Sequence, residues 1–437
     1  MTTDLARTQF ALTALAHYFF VALTLGLITI LVIVQVAETV RPTPARSAML
    51  RFWGQVYLVN YALGIGTGIV MELQLALNWS GLTRVAGEVV GAPLALETVV
   101  AFAAEATFLG LWVFARDRMP RWAHLLVLLA VAATAYASAW FVIAANAFLQ
   151  HPVGYTMDNG IMRLTDPSAL FSNVALPTAM AHVLAGAVLT GGLFVAAVSS
   201  VYLWRARRQG HACGPVDVDL FRSSQRLGMV VAAVAAPLVV IFGGLQFTYL
   251  DEIQPTKFAA DGPAAAARVA EWAARFGPGD RLPDASLTGP VAAIMFGFGV
   301  LAWMSVWTTA VTTPWAWKWR PVQAVLIVTA FLPFLANGAG WLVRELGRAP
   351  WAIYGVLPVE QGVSGSLTPW RALAQTVVFV VVIGTLVVLD VALITRMVRR
   401  YARLGRPAWV LWPDPPHLSD PGPRPMTVPS LVPDGAR

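Results

Sequence analysis

Residues 11–34 read ALTALAHYFFVALTLGLITILVIV, with no charged side chain and a single histidine, His17. A helix needs about 20 apolar residues to cross the hydrocarbon core of a bilayer. The run is too long for the core of a cleaved leader and lacks the usual basic lead-in, so it reads as a retained span.

The same pattern recurs along the chain. Nine such segments lie near 11–36, 54–78, 94–115, 123–147, 178–204, 227–248, 290–312, 322–344 and 373–397. They are rich in Ala, Gly and Val, which suits close helix packing in lipid. The chain reads as an all-α integral membrane protein of about nine transmembrane helices, with residues 1–404 as one multi-helix membrane domain. Of its 437 residues 57% are hydrophobic and 12% charged, where soluble domains carry about 25% charged residues. The formal charge of +7 sits in short loops between apolar segments, as orientation signals do, and implies no nucleic-acid partner. Cys213 is the one cysteine, which excludes an internal disulfide and any cysteine-held metal or iron–sulfur centre.

Loop bases set the expected orientation. Arg41, Arg46 and Arg51, then Arg116, Arg118 and Arg121, then Arg205, Arg207, Arg208, Arg222 and Arg226, then Lys318 and Arg320, and finally Arg396, Arg399, Arg400 and Arg403 fall in alternate loops. The positive-inside rule places these in the cytoplasm. The N-terminus is then outside and the C-terminus cytoplasmic. The outer loop 249–289 opens with Asp251, Glu252, Gln254 and Lys257 and contains an Ala-rich stretch, 263–276, that reads as helical. Residues 405–437, full of Pro and Asp, read as a disordered cytoplasmic tail.

Several polar residues fall on the outer halves of these spans. His182 follows Pro177 by five residues and Met295 follows Pro290 by five. If each proline opens its helix, both lie at one depth, about 7.5 Å in. A His and a Met facing one another from two helices form a haem iron ligand set that suits electron transfer. Each alone is also compatible with ordinary packing or an interhelical hydrogen bond. Glu97 and Glu105 share the third segment; in an α-helix they stand about 12 Å apart along the axis and about 80° around it. Acids in series inside a membrane suggest a proton path, although such acids also pair with arginines. Near the end of the eighth segment, Trp341, Glu345 and Arg348 are spaced for one helix face, with Gly347 and Pro350 as stops. Alone, that stretch suits an interfacial anchor as well as a site. A cofactor cluster near the outer surface accounts for His17, Glu97, His182, Met295 and Glu345 together; a transporter with an intramembrane acid relay is the competing reading.

Longer motifs carry a resemblance. Arg7-Thr-Gln-Phe-Ala-Leu-Thr-Ala-Leu-Ala-His17, Phe52-Trp-Gly54 with Asn60-Tyr-Ala-Leu-Gly64, Met71-Glu-Leu-Gln74 with Asn78-Trp79, Gly91-Ala-Pro-Leu-Ala-Leu-Glu97, and Gly340 to Trp351 resemble subunit I of the cytochrome bd-type quinol oxidases, to about residue 400. The resemblance implies three haems near the outer face of a bacterial cell-membrane protein. His182 and Met295 match the iron ligands of a low-spin haem b. His17 and Glu345 match those of two high-spin haems, one b-type and the other haem d or a third b-type haem. Trp341 and Arg348 match residues lining that pair, and Glu97 and Glu105 match acids on a proton route. The implied activity is oxidation of quinol outside and reduction of oxygen to water with cytoplasmic protons. The implied partners are a second membrane subunit and a small single-span one. A divergent haem protein using another electron donor stays open as the alternative. Lys257 matches a quinol-site lysine. The sequence departs from the family where Gly262, beside Asp261, replaces a glutamate, where Gly243-Gly244 replaces Gly-Asp, and where Ala293 replaces an arginine.

Overall fold

The structure is a computed structural model and describes residues 2–208, 215–258, 262–316 and 319–404. The 405–437 tail, Cys213, Asp261 and Lys318 lie outside the described residues. Nine helices among those described are long and apolar enough to cross a membrane: α1 (Thr2–Val40), α2 (Pro44–Asn78), α3 (Ser80–Phe114), α4 (Arg121–Gln150), α5 (Pro167–Arg205), α6 (Val218–Ile253), α7 (Ala285–Thr312), α8 (Arg320–Leu346) and α9 (Pro369–Arg399). The expectation of an all-α membrane protein is met.

Several helices start earlier than apolar content alone suggests. Thr43 caps α2, its hydroxyl accepting from the Arg46 backbone N–H at 3.2 Å, and Pro44 sits where a missing N–H costs nothing. The first turns of α3 carry Arg84 and Glu88, yet Leu82, Ala86, Val89 and Pro93 form a buried stripe at helical spacing. After Pro93 the helix passes through a π-helical turn, Glu97–Phe102, before resuming as Ala103–Phe114. Elsewhere, α8 is interrupted at Ala330 and Phe331, just before Pro333, whose ring cannot donate to the preceding turn.

Helix α1 is central, packing on α2, α4, α5, α8 and α9, while α5 packs most extensively on α6. Glycines make these contacts backbone-close. A Cβ added to Gly26 would lie 2.3 Å from the Ala187 carbonyl oxygen. Gly192 and Gly228 oppose each other the same way, 2.7 and 2.5 Å from the facing carbonyls. In lipid, where apolar burial drives little helix association, such close approach supplies the packing. An aromatic cluster fills the bundle away from the candidate site, with Tyr202 stacked on Phe221 at 3.8 Å and Phe52 edge-on to it at 5.0 Å.

Two small hairpins lie in the connections. Strands β1 (Tyr155–Asp158) and β2 (Ile161–Leu164) pair antiparallel around Asn159 and Gly160, both at positive φ, as a tight two-residue turn requires. The hairpin is tied to α3 by an ion pair between Arg163 and Glu88 at 2.8 Å. Strands β3 (Trp351–Ile353) and β4 (Leu357–Pro358) follow the end of α8 directly. The 263–276 stretch is helical, as expected, as Pro263–Phe276.

Candidate active site

Helix α8 ends at Leu346 with Gly347 at its cap, so the stops expected at Gly347 and Pro350 act as such. Arg348 lies two residues beyond, and its Nη2 pairs with Glu345 Oε2. The other carboxylate oxygen, Oε1, accepts from Asn146 Nδ2 of α4 at 2.9 Å, with Gln150 Nε2 at 3.5 Å. Arg344 Nε donates to Asn146 Oδ1. Gln254 Nε2 donates to Gln150 Oε1 at 2.8 Å, and Lys257 Nζ donates to Gln254 Oε1 at 3.3 Å. A hydrogen-bonded chain therefore runs from Lys257 through two glutamines to Glu345. Gly347 makes room for it, because a Cβ there would lie 2.6 Å from Lys257 Cε.

The charge balance of this cluster is lopsided. Arg344, Arg348 and Lys257 surround one carboxylate, Glu345. Lys257 and Arg348 are only 8% and 9% exposed. Arg344 Nη2, Arg348 Nε and Nη1 and Trp341 Nε1 have no protein hydrogen-bond partner. Buried donors of this kind are costly unless something accepts from them. Burial, together with the nearby Arg344 and Arg348 cations and against a partial offset from Glu345, brings the Lys257 amine down to about 7.

The histidines stand on other helices, each held by a bond that decides its tautomer. His182 Nδ1 lies 2.9 Å from the Val239 carbonyl oxygen, which can only accept, so Nδ1 carries the proton and Nε2 is left with its lone pair. His17 Nδ1 lies 2.9 Å from Thr67 Oγ1, whose own proton goes to the Gly64 carbonyl at 2.7 Å. His17 therefore also donates through Nδ1 and offers Nε2. Met295 packs on Gly340 of α8; a Cβ on that glycine would lie 3.2 Å from its sulfur. Glycines face the histidines likewise, Gly243 at His182 (2.9 Å) and Gly68 at His17 (3.2 Å). Tyr18, next to His17, stacks on Trp341 at 5.9 Å, which links α1 to α8.

The equal depth expected of His182 and Met295 required a proline opening each helix, and Pro290 does not open its own. Within α5 the helix breaks at 172–174 and resumes at Ala175, so Pro177 does fall in the first turn of that stretch, but Pro290 lies in the second turn of α7, which starts at Ala285. The prolines do not mark equal depth. What relates the two residues is packing through α8: Gly186, one turn from His182, meets Asn337, and Gly340, one turn on, meets Met295.

Glu97 and Glu105 form a second group. Ser138 Oγ of α4 donates to Glu97 Oε1 at 2.7 Å, and the Tyr57 hydroxyl donates to Glu105 Oε1 at 3.3 Å. Glu105 is buried, at 5% exposure. The π-helical turn changes their relation. A π-turn absorbs one extra residue, so the expected offset of about 80° falls to about 20°, and the two acids share a face. Ser138 and Asn146 are two turns apart on α4, so that helix joins the Glu97 group to the Glu345 group. His124, by contrast, has both ring nitrogens engaged, by Gln35 and by the Trp112 carbonyl, and is structural.

A family model described as cytochrome bd terminal oxidase subunit I matches residues 5–273 and 264–402. The chain belongs to the cytochrome bd terminal oxidase subunit I family. Among its relatives, cytochrome bd ubiquinol oxidase subunit 1 of Bacillus subtilis (strain 168) is 32% identical over 91% of this chain and 94% of that protein. Cytochrome bd-II ubiquinol oxidase subunit 1 of Escherichia coli (strain K12) is 37% identical over 59% of this chain and 49% of its own length. Among solved structures, that of bd oxidase from Geobacillus thermodenitrificans superposes with a TM-score of 0.79 at 25% identity, covering 91% of this chain and 98% of the other. Membership of the bd family sets aside the transporter reading.

A bd-family cytochrome carries haem, and the residues fit one. The unpartnered guanidinium donors of Arg344 and Arg348 suit the acidic propionate groups of a haem edge. Two histidines with free Nε2 and a methionine sulfur are iron-ligand chemistry. Sequence reasoning missed Arg344, Gln150 and Gln254 as members of this cluster. Arg344 was legible as an arginine inside an apolar segment; the glutamines sit at element ends and carry no comparable signal.

Proposed function

We propose that this chain is the haem-bearing core of a quinol oxidase in a bacterial cell membrane. In this reading His182 and Met295 hold a low-spin haem b, and His17 and Glu345 hold two high-spin haems, one b-type and the other haem d or a third b-type haem. The haems, when bound, carry the electrons and bind the oxygen. The residues supply ligands, charge and protons. Arg344 and Arg348 balance Glu345 and the acidic haem edge, and Trp341 lines the pair. Glu105 and Glu97, brought to one face, pass cytoplasmic protons toward α4 and the Glu345 cluster. Quinol gives up its electrons at the outer face near Lys257. The single observation that carries this reading is the three-cation cluster around one carboxylate, with donors left for acidic groups.

A second membrane subunit, with a small single-span one, completes the assembly. Glu72 supports this: with only a 3.3 Å bond from the Thr98 hydroxyl to its Oε1 among the described residues, it is exposed on α2 beside Ile69, Leu73 and Leu77, which are 53%, 48% and 52% exposed. A carboxylate turned toward lipid is costly, whereas a partner helix can satisfy it.

The test is a complex purified after co-expression of the neighbouring subunit. Expected are reduced-minus-oxidised bands of one low-spin and two high-spin haems, and oxygen uptake driven by a quinol. Haem bands without quinol-driven uptake would favour a different electron donor. Extracting the haems would show whether a chlorin is among them.

Lys257 gives the reaction an expected pH signature. With its amine near 7, the neutral form, able to accept a proton from a quinol hydroxyl, predominates above that pH, and the charged form below it. The KM for quinol is expected to rise as pH falls through about 7, and Lys257→Met should flatten that inflection. An inflection that persists in Lys257→Met assigns it to another group.

A further inference from the structure

The seam between α1 and α2 carries polar side chains in register. Asn78 Nδ2 donates to Gln9 Oε1 at 2.6 Å, and one turn further in the Thr13 hydroxyl donates to Gln74 Oε1 at 2.7 Å. The next turn of α1 brings His17, bonded to Thr67 of α2. Gln9, Thr13 and His17 are spaced by four residues, so one face of α1 carries all three over about 12 Å. Gln9 is 2% exposed, Thr13 1%, and Gln74 and Asn78 are fully buried. Three atoms of this seam, Gln9 Nε2, Gln74 Nε2 and Asn78 Oδ1, have no protein hydrogen-bond partner. At its far end lie Trp79, edge-on to Phe10 at 6.0 Å, and Ser364, which bonds the backbone of Leu77 and Ser80.

The donor and acceptor inventory identifies the occupant. The Gln9–Asn78 pair leaves one donor and one acceptor over, and exchanging both amides leaves one of each again. A carboxylate, which only accepts, cannot satisfy that set, and a cation, which only donates, cannot either. Water does both, and buried waters typically make about three bonds to such groups. Apolar packing would have been served better by leucines here, so four buried amide and hydroxyl side chains in register need a polar occupant.

We propose that this seam is a site for a file of ordered water joining the oxygen-reducing site to the outer end of the bundle, and that product water leaves along it. Each oxygen reduced with four electrons and four protons gives two waters, and these must leave a site enclosed by membrane helices. The seam is a polar way out that begins at a candidate iron ligand. This rests on the reading of His17 as an iron ligand.

The experiment uses the purified, haem-loaded complex. Gln74→Met keeps the side-chain volume but removes both polar atoms; Gln74→Asn keeps an amide. Expected in the native complex and in Gln74→Asn is a water O–H band in the redox-difference infrared spectrum that shifts in 18O-labelled water. In Gln74→Met that band is lost and turnover falls several-fold, with haem content and visible spectrum unchanged. A Gln74→Met complex with native turnover, or a native complex without the isotope-sensitive band, overturns the proposal. If Gln74→Met fails to assemble, Gln9→Leu carries the same test from the other helix. The His17 reading fails separately: His17→Ala that keeps both high-spin bands removes the ligand but says nothing against water in the seam.

Discussion

In a Met295→Leu variant, the low-spin b-type band of the reduced-minus-oxidised spectrum is expected to disappear or shift while both high-spin bands remain. Leucine and methionine have similar volumes, and such swaps usually cost under about 1.5 kcal/mol, so the helix and its contact with Gly340 should survive. What leucine cannot supply is the thioether that, in the proposed reading, would hold the low-spin haem iron together with His182. Quinol-driven oxygen uptake should fall by about 100-fold or more, since losing an iron ligand costs at least as much as losing the groups that support one. Spectra recorded beside oxygen uptake check this, and an unchanged low-spin band would remove Met295 from the ligand set.

Glu345→Ala is expected to have the largest effect on the site itself. It removes the candidate ligand of a high-spin haem and leaves Arg344, Arg348 and Lys257 together without a carboxylate. Stripping one partner from a buried ion pair typically costs about 3–5 kcal/mol. The variant should lose one high-spin haem and melt at lower temperature. Removing Arg348 as well separates the two losses. Glu345→Ala combined with Arg348→Leu should recover part of the stability, because the stranded charge is gone, and none of the haem. Full recovery of haem in the double variant would mean that Glu345 balances charge and holds no iron.

Much of this was legible in the amino-acid chain, for physical reasons. Each membrane helix must satisfy its backbone internally and face lipid, so apolar runs alone located nine helices. Trp341, Glu345 and Arg348 were recognisable because charge at the end of a span is costly. The extent of the helices was less accessible. Thr43-Pro44 is a start signal that apolar content does not register, and the buried stripe of α3 is masked by Arg84 and Glu88 on its other side. Pro290 did not mark a helix start because α7 begins a turn earlier, where the Asp284 carboxylate accepts from the Ser286 N–H at 2.9 Å as a cap. The link from Lys257 to Glu345 was out of reach because Gln150 of α4, the Gln254–Lys257 segment and α8 come together only through packing.

The turn at Glu97–Phe102 has a bearing on how such chains diverge. A single added residue there re-aims everything on the far side of it by about 100°, a change that no replacement of one side chain by another can produce. Lineages that gain or lose that residue would keep both acids in their sequences and yet part them in space. Position-by-position comparison would score such a protein as conserved at both glutamates, while the alignment gap beside them recorded the loss of the proposed proton path.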